Sequence, residues 1–259
     1  MCQKDIKNIR KNSFSKKFVL DANLVHCLDS HDRRFDFLRN PVVQNIYNYQ
    51  IEYILDFLAA WSQTSFPKLL DWGCGKGYVS YLLKNKNIPV ISCDVSDTAG
   101  SSAFLTNSPI FGIGKINVVE LKHEYILPFN DGSFDAVLSF GVLEHVPNDL
   151  ESLKEIRRIL KTKGLFFCFY LPYKLSYTQN IQRLRKKSSH KVLYWKKDVK
   201  KLLSASGLQL LDIWHRAFLP KISFIPPFYH AVEKADNWIC NNSILKYFAT
   251  NIEFVAYKD

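Results

Sequence analysis

The sequence lacks several patterns that would place it in other protein classes. Its six cysteines include no pair separated by two residues, so neither zinc nor a dithiol redox centre is indicated and no metal is expected. No apolar run approaches the roughly 18 residues that cross a bilayer, and the first residues contain no apolar signal-peptide core. Low-complexity tracts are also missing. These absences predict a globular cytoplasmic protein.

The composition supports a sizeable core and leaves a basic surface. The chain has 259 residues, of which 47% are hydrophobic and 23% charged, and its net charge is +11. This length suits one large domain or two small ones. No nucleic-acid module is recognised, so a phosphorylated carrier or peripheral contact with an anionic membrane is favoured over nucleic acid. The alternative is an ordinary basic surface. The lysine-rich first dozen residues are expected to be disordered.

Hydrophobic periodicity predicts strands that alternate with helices. Residues 1–40 show no period, whereas Asn40-Pro41 predicts a helix start and apolar residues three or four apart continue that helix to Gln63. Further helices are predicted at 77–84, 149–161 with a stop at Gly164, and 198–206 with Gly207 at its end. Strands are predicted at 68–72, 89–93, 118–121, 134–140, 165–171, 208–214 and 252–257. The alternation indicates an α/β protein with a mainly parallel sheet.

Three glycines at alternate positions follow the first predicted strand. The segment Leu69-Leu70-Asp71-Trp72-Gly73-Cys74-Gly75-Lys76-Gly77 runs from an apolar strand through a glycine turn into a helix. Glycine lets the backbone turn sharply and approach a ligand with no Cβ in between. Asp94 closes the next strand about twenty residues later, where a carboxylate can accept hydrogen bonds from both hydroxyls of a ribose. A turn followed by a helix-capping aspartate is the structural alternative.

The motif departs from the dinucleotide-binding pattern G-x-G-x-x-G. That pattern requires glycine at position 78, which is Tyr78. Asp71 adds negative charge just before the turn, which suits a cationic sulfonium or ammonium better than a diphosphate. S-adenosylmethionine is therefore favoured over NAD, and an NAD-type oxidoreductase is the second functional hypothesis.

The chain resembles the class I S-adenosylmethionine-dependent methyltransferases, and among them the type 11 family. Its first motif is matched at 71–77 and its ribose-binding acid at Asp94. Residues 127–137 are similar to the family segment L-P-F-x-D-x-S-F-D-x-V, and 143–146 and 160–164 follow in the family's order. Many relatives carry a Gly-Asp pair that meets adenine, but this chain has Lys122-His123-Glu124. Glu124 either replaces that aspartate and accepts a hydrogen bond from the adenine amino group, or is an exposed loop residue.

The resemblance implies a fold, a cofactor and a set of site residues. The fold is a doubly wound, mainly parallel seven-stranded Rossmann-like sheet with an N-terminal helical segment, an insertion before the last strand and an antiparallel last strand. Residues 1–40 form a partly flexible segment or lid, and 41–259 form the methyltransferase domain, with a cofactor-binding core at 66–172 and acceptor-side elements at 173–250. S-adenosylmethionine is the cofactor and S-adenosylhomocysteine the product, and the contacting residues are Asp71, Gly73, Cys74, Gly75, Gly77, Asp94 and Phe140.

The expected reaction is methyl transfer to a small-molecule, glycan or lipid-linked acceptor, and a non-catalytic nucleotide-binding module is a third hypothesis. His145, just beyond the fourth strand, is the candidate general base for a hydroxyl acceptor. The alternative is that Glu144 and His145 begin the following helix. His31 and Tyr47 are candidates for a lid, although Tyr47 also fits the packed face of its helix.

Residues 217–229 combine large apolar side chains with three prolines. This composition predicts a cap over an acceptor with an apolar portion, supported by nearby basic residues for a phosphate or membrane surface: Arg183, Arg185, Lys186 and Lys187. A dimer contact or ordinary packing are the alternatives. The sequence does not identify the acceptor or the oligomeric state.

Overall fold

The structure is a computed structural model that describes residues 3–13, 21–29, 36–62, 67–95, 108–185, 192–219 and 229–259. The chain forms two compact units, Met1–Lys122 and His123–Asp259. Among the helices of the described ranges, none combines the length and hydropathy required to span a bilayer.

The first unit contains helices and three parallel strands. Its elements are α1 (Gln3–Ser13), α2 (Ala22–Asp29), α3 (Asp36–Arg39), α4 (Pro41–Ser62), β1 (Leu69–Trp72), α5 (Tyr78–Asn85), β2 (Val90–Val95), α6 (Pro109–Gly114) and β3 (Val118–Leu121). Strand β2 pairs in parallel with both β1 and β3. Because the strands are parallel, their carboxyl ends lie at one edge, where ligands bind in open α/β sheets.

Helix α4 begins where the sequence predicts. Asn40 Oδ1 accepts a hydrogen bond from the backbone N–H of Val42 at 2.9 Å, which satisfies one of the donors left free in a first helical turn. The predicted apolar face is buried at four of its members: Val43, Ile51, Ile54 and Leu58. The helix is therefore held by its apolar stripe.

The expectation that the first dozen residues are disordered is wrong. Helix α1 packs against α4, with Ile6 and Ser13 buried. Ser13 Oγ lies 2.9 Å from Asp56 Oδ2 of α4. Although the segment is rich in lysine, its few small and apolar residues fall on one face, and α4 covers that face.

The second unit contains the other four strands. Its elements are β4 (Phe134–Phe140), α7 (Asp149–Ile159), β5 (Leu160–Pro172), α8 (Tyr177–Leu184), α9 (Lys196–Ser206), β6 (Leu208–Arg216), α10 (Tyr229–Asn242), a 3₁₀ helix (Ile244–Phe248) and β7 (Asn251–Lys258). Strand β4 is parallel to β5, and β7 is antiparallel to both β5 and β6. The predicted antiparallel last strand is confirmed, and β5 and β6 consequently run in the same direction.

Two predicted helix boundaries in this unit are wrong. Helix α7 ends at Ile159 and not at Lys161, because Leu160 is fully buried and already pairs with Phe134 of β4. Position 164 requires glycine because the backbone of Lys161 lies close to it within the strand. A Cβ at Gly164 would lie 2.8 Å from the carbonyl oxygen of Lys161. Helix α9 begins two residues before the predicted start at Asp198, whose Oδ2 accepts from the backbone N–H of Trp195 at 3.0 Å.

All seven strands belong to one mixed sheet, in the order β3-β2-β1-β4-β5-β7-β6. This order and the helices between the strands confirm the predicted α/β fold. The predicted domain boundaries at residues 40 and 41, and the core at 66–172, stay predictions.

Candidate cofactor site and its family

The turn after β1 is attached to the end of β2. The backbone N–H groups of Gly73 and Cys74 both donate to the carbonyl oxygen of Cys93, at 2.9 and 3.0 Å. A second support comes from the start of α6, where Ser108 Oγ donates to the carbonyl oxygen of Lys76 at 2.7 Å. The protein itself therefore holds the turn, and less ordering is left for a ligand to impose.

Gly75 is the position where the turn is open. Its φ is +51°, a left-handed conformation that costs an L-residue roughly 1–2 kcal/mol. Its backbone N–H donates to Asp94 Oδ2 at 2.6 Å. Among the described residues, a Cβ built on Gly75 meets no heavy atom within 4 Å. The space beside this glycine is thus not filled by the part of the unit that the structure describes.

Gly77 needs to be glycine for a different reason. Its φ is +81°, and a Cβ there would lie 2.4 Å from Cε1 of Phe111 in α6. Its backbone N–H donates to the carbonyl oxygen of Cys74 at 2.8 Å, which closes the turn before α5 begins. Gly77 therefore allows close packing between the turn and α6, and its predicted contact with the ligand stays a prediction.

Asp94 connects the ends of β1 and β2. Its two carboxylate oxygens accept from the backbone N–H groups of Gly75, at 2.6 Å, and Val95, at 2.8 Å. Burial raises the pKa of Asp94, and these two hydrogen bonds oppose the increase. A carboxylate offers about four lone-pair positions, so two remain for hydroxyl donors. The side chain is only half-buried, so a ligand can reach it.

Asp71 lies beneath the turn and is almost completely buried. Its Oδ2 accepts from Ser80 Oγ at 2.6 Å, and Ser80 Oγ lies 2.7 Å from Ser92 Oγ of β2. Burial, with a smaller contribution from the charge of Asp94, raises the pKa of Asp71 to about 7, while the Ser80 hydrogen bond acts in the opposite direction. Because the charge of Asp94 raises the pKa of Asp71, a cationic ligand near both carboxyls is favoured and a diphosphate is disfavoured.

Cys74 and Tyr78 complete the surroundings of the turn. Burial raises the pKa of the Cys74 thiol, which stays protonated at neutral pH and is not a nucleophile. The buried ring of Tyr78 meets Tyr47 edge to face at a centroid distance of 5.0 Å. An aromatic ring thus packs where a dinucleotide site has its third glycine. Tyr47 accordingly contributes to packing, and its role as a lid stays a prediction.

The comparisons with known proteins agree with this geometry. Residues 70–168 match the family described as a methyltransferase domain. The mouse mitochondrial protein named arginine-hydroxylase NDUFAF5 is 30% identical over 135 residues, 51% of this chain and 34% of that protein. A Mycobacterium tuberculosis protein named a probable S-adenosylmethionine-dependent methyltransferase is 31% identical over 97 residues, 38% of this chain and 33% of its own. The chain thus spans about a third of the length of these curated relatives.

Solved structures share the fold. A S-adenosylmethionine-dependent methyltransferase from Archaeoglobus fulgidus superposes with a TM-score of 0.52 and 18% identity, covering 88% of this chain and all of the other. Residues 70–168 therefore match a methyltransferase domain, and the chain shares the fold of S-adenosylmethionine-dependent methyltransferases. These matches support the predicted family and its cofactor, S-adenosylmethionine.

The second unit of the chain holds the other predicted site residues. Phe140, the last residue of β4, packs its ring against Phe169 at a centroid distance of 4.7 Å. His145 lies in a turn, where its backbone N–H donates to the carbonyl oxygen of Val142 at 2.8 Å. Helix α7 begins at Asp149 with Asn148 as its N-cap, so Glu144 and His145 lie before the helix, and the alternative that they structure its start stays a prediction.

Glu144 and His145 have opposite environments. His145 is exposed, and partial burial lowers its pKa. Glu144 is 4% exposed, and burial raises its pKa to about 7. His145 Nε2 lies 3.9 Å from Glu144 Oε1. A neutral imidazole is the form that can accept a proton, so the geometry is compatible with the predicted base.

Some of the predicted functional residues lie outside the part of the chain that the structure describes. His31, Lys186, Lys187 and residues 220–228, most of the predicted aromatic cap, lie outside the described residues. Glu124 is exposed, and its neighbour His123 accepts backbone hydrogen bonds from Tyr125 and Ile126. Within the described ranges no cluster of His, Cys, Asp and Glu has the arrangement of a metal site.

Sequence reasoning missed the serines that support the site. Ser80 donates to Asp71, Ser92 Oγ lies 2.7 Å from Ser80 Oγ, and Ser108 donates to the carbonyl oxygen of Lys76 in the turn. The register of the parallel strands places Ser92 directly beside Asp71. An alignment of the two predicted strands could therefore have placed Ser92 beside Asp71. In contrast, no local sequence feature distinguishes Ser108 from a surface serine.

Proposed function

We propose that this protein transfers a methyl group from S-adenosylmethionine to a small-molecule, glycan or lipid-linked acceptor. The observation that carries the proposal is the open side of Gly75 next to the half-buried carboxylate of Asp94. Asp94 would accept hydrogen bonds from the ribose hydroxyls, and the backbone at Gly75 would approach the ligand closely. Asp71 and Asp94 together would favour the positive charges of the sulfonium and the ammonium.

The bound cofactor would supply a methyl carbon that its sulfonium already activates. Transfer of this methyl group to the acceptor atom would leave S-adenosylhomocysteine as the product. The residues of the protein position the two partners and exclude water. A hydroxyl acceptor also loses a proton, and His145 is the proposed base because its lowered pKa keeps the imidazole neutral at pH 7.

An acceptor with an apolar portion is favoured by the exposed side chains of α10 and the 3₁₀ helix. These two elements pack against each other, and Trp238, Ile244 and Phe248 are 62%, 76% and 46% exposed. Lys234 and Lys246 belong to the same elements, and the chain carries a net charge of +11. Exposed apolar residues with basic neighbours are typical of a surface that contacts an anionic bilayer. The proposed location is therefore cytoplasmic with peripheral membrane contact.

Vesicle sedimentation tests the membrane part of the proposal. Vesicles of phosphatidylglycerol and phosphatidylcholine should retain the protein at low salt, and the double variant Trp238→Ser, Ile244→Ser should be released. Ile113→Ser, which replaces a 43% exposed side chain of α6, is the matched control. Equal retention of all three proteins would contradict the proposal, as would equal binding to vesicles of phosphatidylcholine alone.

Turnover with labelled cofactor tests the reaction. S-adenosylmethionine carrying a radioactive methyl group would be incubated with the protein and with polar, glycan and chloroform-soluble fractions of a cell extract. Label should move into one fraction with the unaltered protein and not with Asp94→Ala. If S-adenosylhomocysteine binds but no fraction takes up label, the non-catalytic module replaces the methyltransferase as the conclusion. Oxidation of NADH by the same fractions would support the oxidoreductase.

A further inference from the structure

His215 is a buried imidazole at the carboxyl end of β6. Its exposed fraction is 3%, and neither Nδ1 nor Nε2 has a hydrogen-bond partner among the described residues. Buried polar groups in folded proteins are almost always hydrogen-bonded. The two ring nitrogens are therefore available to a partner that the described residues do not provide.

Aromatic side chains from two other elements surround this imidazole. The ring of Tyr173, just after β5, meets His215 edge to face at a centroid distance of 4.8 Å, and Tyr247 of the 3₁₀ helix does so at 5.5 Å. Trp195, immediately before α9, packs on Tyr173 at 5.9 Å. Tyr247 is 46% exposed, which leaves this group of rings in contact with solvent. The group lies at the edge where the parallel strands β5 and β6 both end.

The charge around His215 limits what can bind there. Burial, together with the ammonium groups of Lys196 and Lys246, lowers the pKa of His215 to about 3. Since the imidazole is neutral at pH 7, one nitrogen donates a hydrogen bond and the other accepts one. A hydroxyl group can meet either nitrogen, whereas a cationic amine would be repelled by both lysines. Aromatic side chains favour a ring next to the hydroxyl.

We propose that His215, Tyr173 and Tyr247 form a binding site for a neutral or anionic hydroxyl-bearing ring, which is either a sugar or a phenol. This inference rests on the proposed function in that the bound ring would belong to the methyl acceptor. His215 acts as a positioning residue, because a hydrogen bond to one of its nitrogens fixes the orientation of the ring. The site would exclude acceptors whose reactive group is an ammonium ion.

Side-chain NMR of protein labelled with ¹⁵N-histidine tests the site with small probes. Methyl α-glucopyranoside and phenol represent the two sources of a hydroxyl-bearing ring. Anisole is the matched probe without the donor, and benzylamine is the matched cation. Saturation with at least one of the first two should move the His215 nitrogen resonances, and the affinities of anisole and benzylamine should be roughly tenfold weaker, as the loss of one buried hydrogen bond implies.

Variants separate a binding role from a structural one. His215→Phe keeps an aromatic ring and should lose the preference for the hydroxylated probe, while His215→Asn should retain part of it. His123→Phe, at an exposed histidine, is the control and should bind like the unaltered protein. A glucoside response without a phenol response would identify the sugar as the source, and the reverse would identify the phenol. Unmoved His215 resonances with both hydroxylated probes, or equal affinity of His215→Phe and the unaltered protein, would overturn the inference.

Titration of the same samples with S-adenosylhomocysteine distinguishes failure of this site from failure of the proposed function. If S-adenosylhomocysteine binds and the probes do not, only the His215 site is refuted. If the probes bind and S-adenosylhomocysteine does not, the ring site stands and methyl transfer is refuted.

Discussion

The buried carboxyl of Asp71 predicts a conflict between stability and cofactor binding. Its pKa is about 7 in the folded protein and 3.8 ordinarily. Each unit of pKa difference corresponds to 1.36 kcal/mol, so the full effect is on the order of 4 kcal/mol. Because the folded-state pKa is the higher one, the folded protein is stabilised by the protonated Asp71. This contribution to the free energy of unfolding is complete below pH 3.8 and is lost as pH rises to about 7.

Asp71→Asn removes the titrating group but leaves an oxygen that can accept from Ser80. We therefore expect the variant to be more stable than the unaltered protein at pH 8, by up to about 4 kcal/mol, and to lose most of this advantage near pH 4. Urea unfolding at pH 4, 5, 6, 7 and 8 measures the difference. Asp135→Asn is the control, since Asp135 pairs at 2.9 Å with Lys161, whose side chain is half exposed.

The same substitution should weaken the binding of S-adenosylhomocysteine, because a negative charge near its ammonium is lost. For the unaltered protein the affinity should increase as pH rises from 5 to 8, since the cationic ligand favours ionised Asp71. Asp71→Asn should make the affinity nearly independent of pH over this range. Parallel stability curves for Asp71→Asn and the unaltered protein, or the same pH dependence of their affinities, would refute the reasoning.

Three further predictions concern the glycines and an arginine. Gly75→Val should abolish binding of S-adenosylhomocysteine in calorimetry, because the valine side chain would occupy the space proposed for the ligand. Circular dichroism should stay normal, because that space is open. Gly77→Ala should lower the free energy of unfolding by about 2–4 kcal/mol in urea, because its Cβ meets Phe111. Arg158→Met should cost about 2–3 kcal/mol in the same assay, because Arg158 donates to the carbonyl oxygens of Leu127 and Phe129 at 2.9 and 2.8 Å.

Each of these variants has a control or an opposite outcome. Lys154→Met removes an exposed ion pair of 2.7 Å and should change stability by less than about 0.5 kcal/mol. Normal cofactor binding by Gly75→Val would show that the space beside this glycine is not used. An unchanged denaturation midpoint for Gly77→Ala would show that α6 accommodates the added Cβ without loss of stability. Equal effects of Arg158→Met and Lys154→Met would show that the hydrogen bonds of Arg158 to the carbonyl oxygens do not stabilise the protein.

Strand bounds were predictable where a short apolar run ends at a turn. The predicted bounds of β3 and β4 agree with the structure, although Leu121 is the one buried residue among the four of β3. The glycine turn was predictable for a related reason, since left-handed backbone at Gly75 restricts the residue type. These features depend on near neighbours in the chain.

Features that depend on distant partners were not predictable. Helix α1 is stabilised by α4, with Ser13 meeting Asp56 across 43 positions. The sequence indicated that Asp71 would lie near a ligand but not that it would be buried on Ser80. His215 was overlooked because the predicted strand ended at Trp214, and the aromatic residues around it come from distant parts of the chain.

Calorimetry with S-adenosylhomocysteine and NADH tests the central claim most directly. The unaltered protein should bind S-adenosylhomocysteine and give no heat with NADH. Asp94→Ala should weaken that binding by about 2–4 kcal/mol, because a charged acceptor of two ribose hydroxyls is lost. Unchanged affinity in Asp94→Ala, or heat with NADH and none with S-adenosylhomocysteine, would contradict the assignment of this turn as a S-adenosylmethionine site.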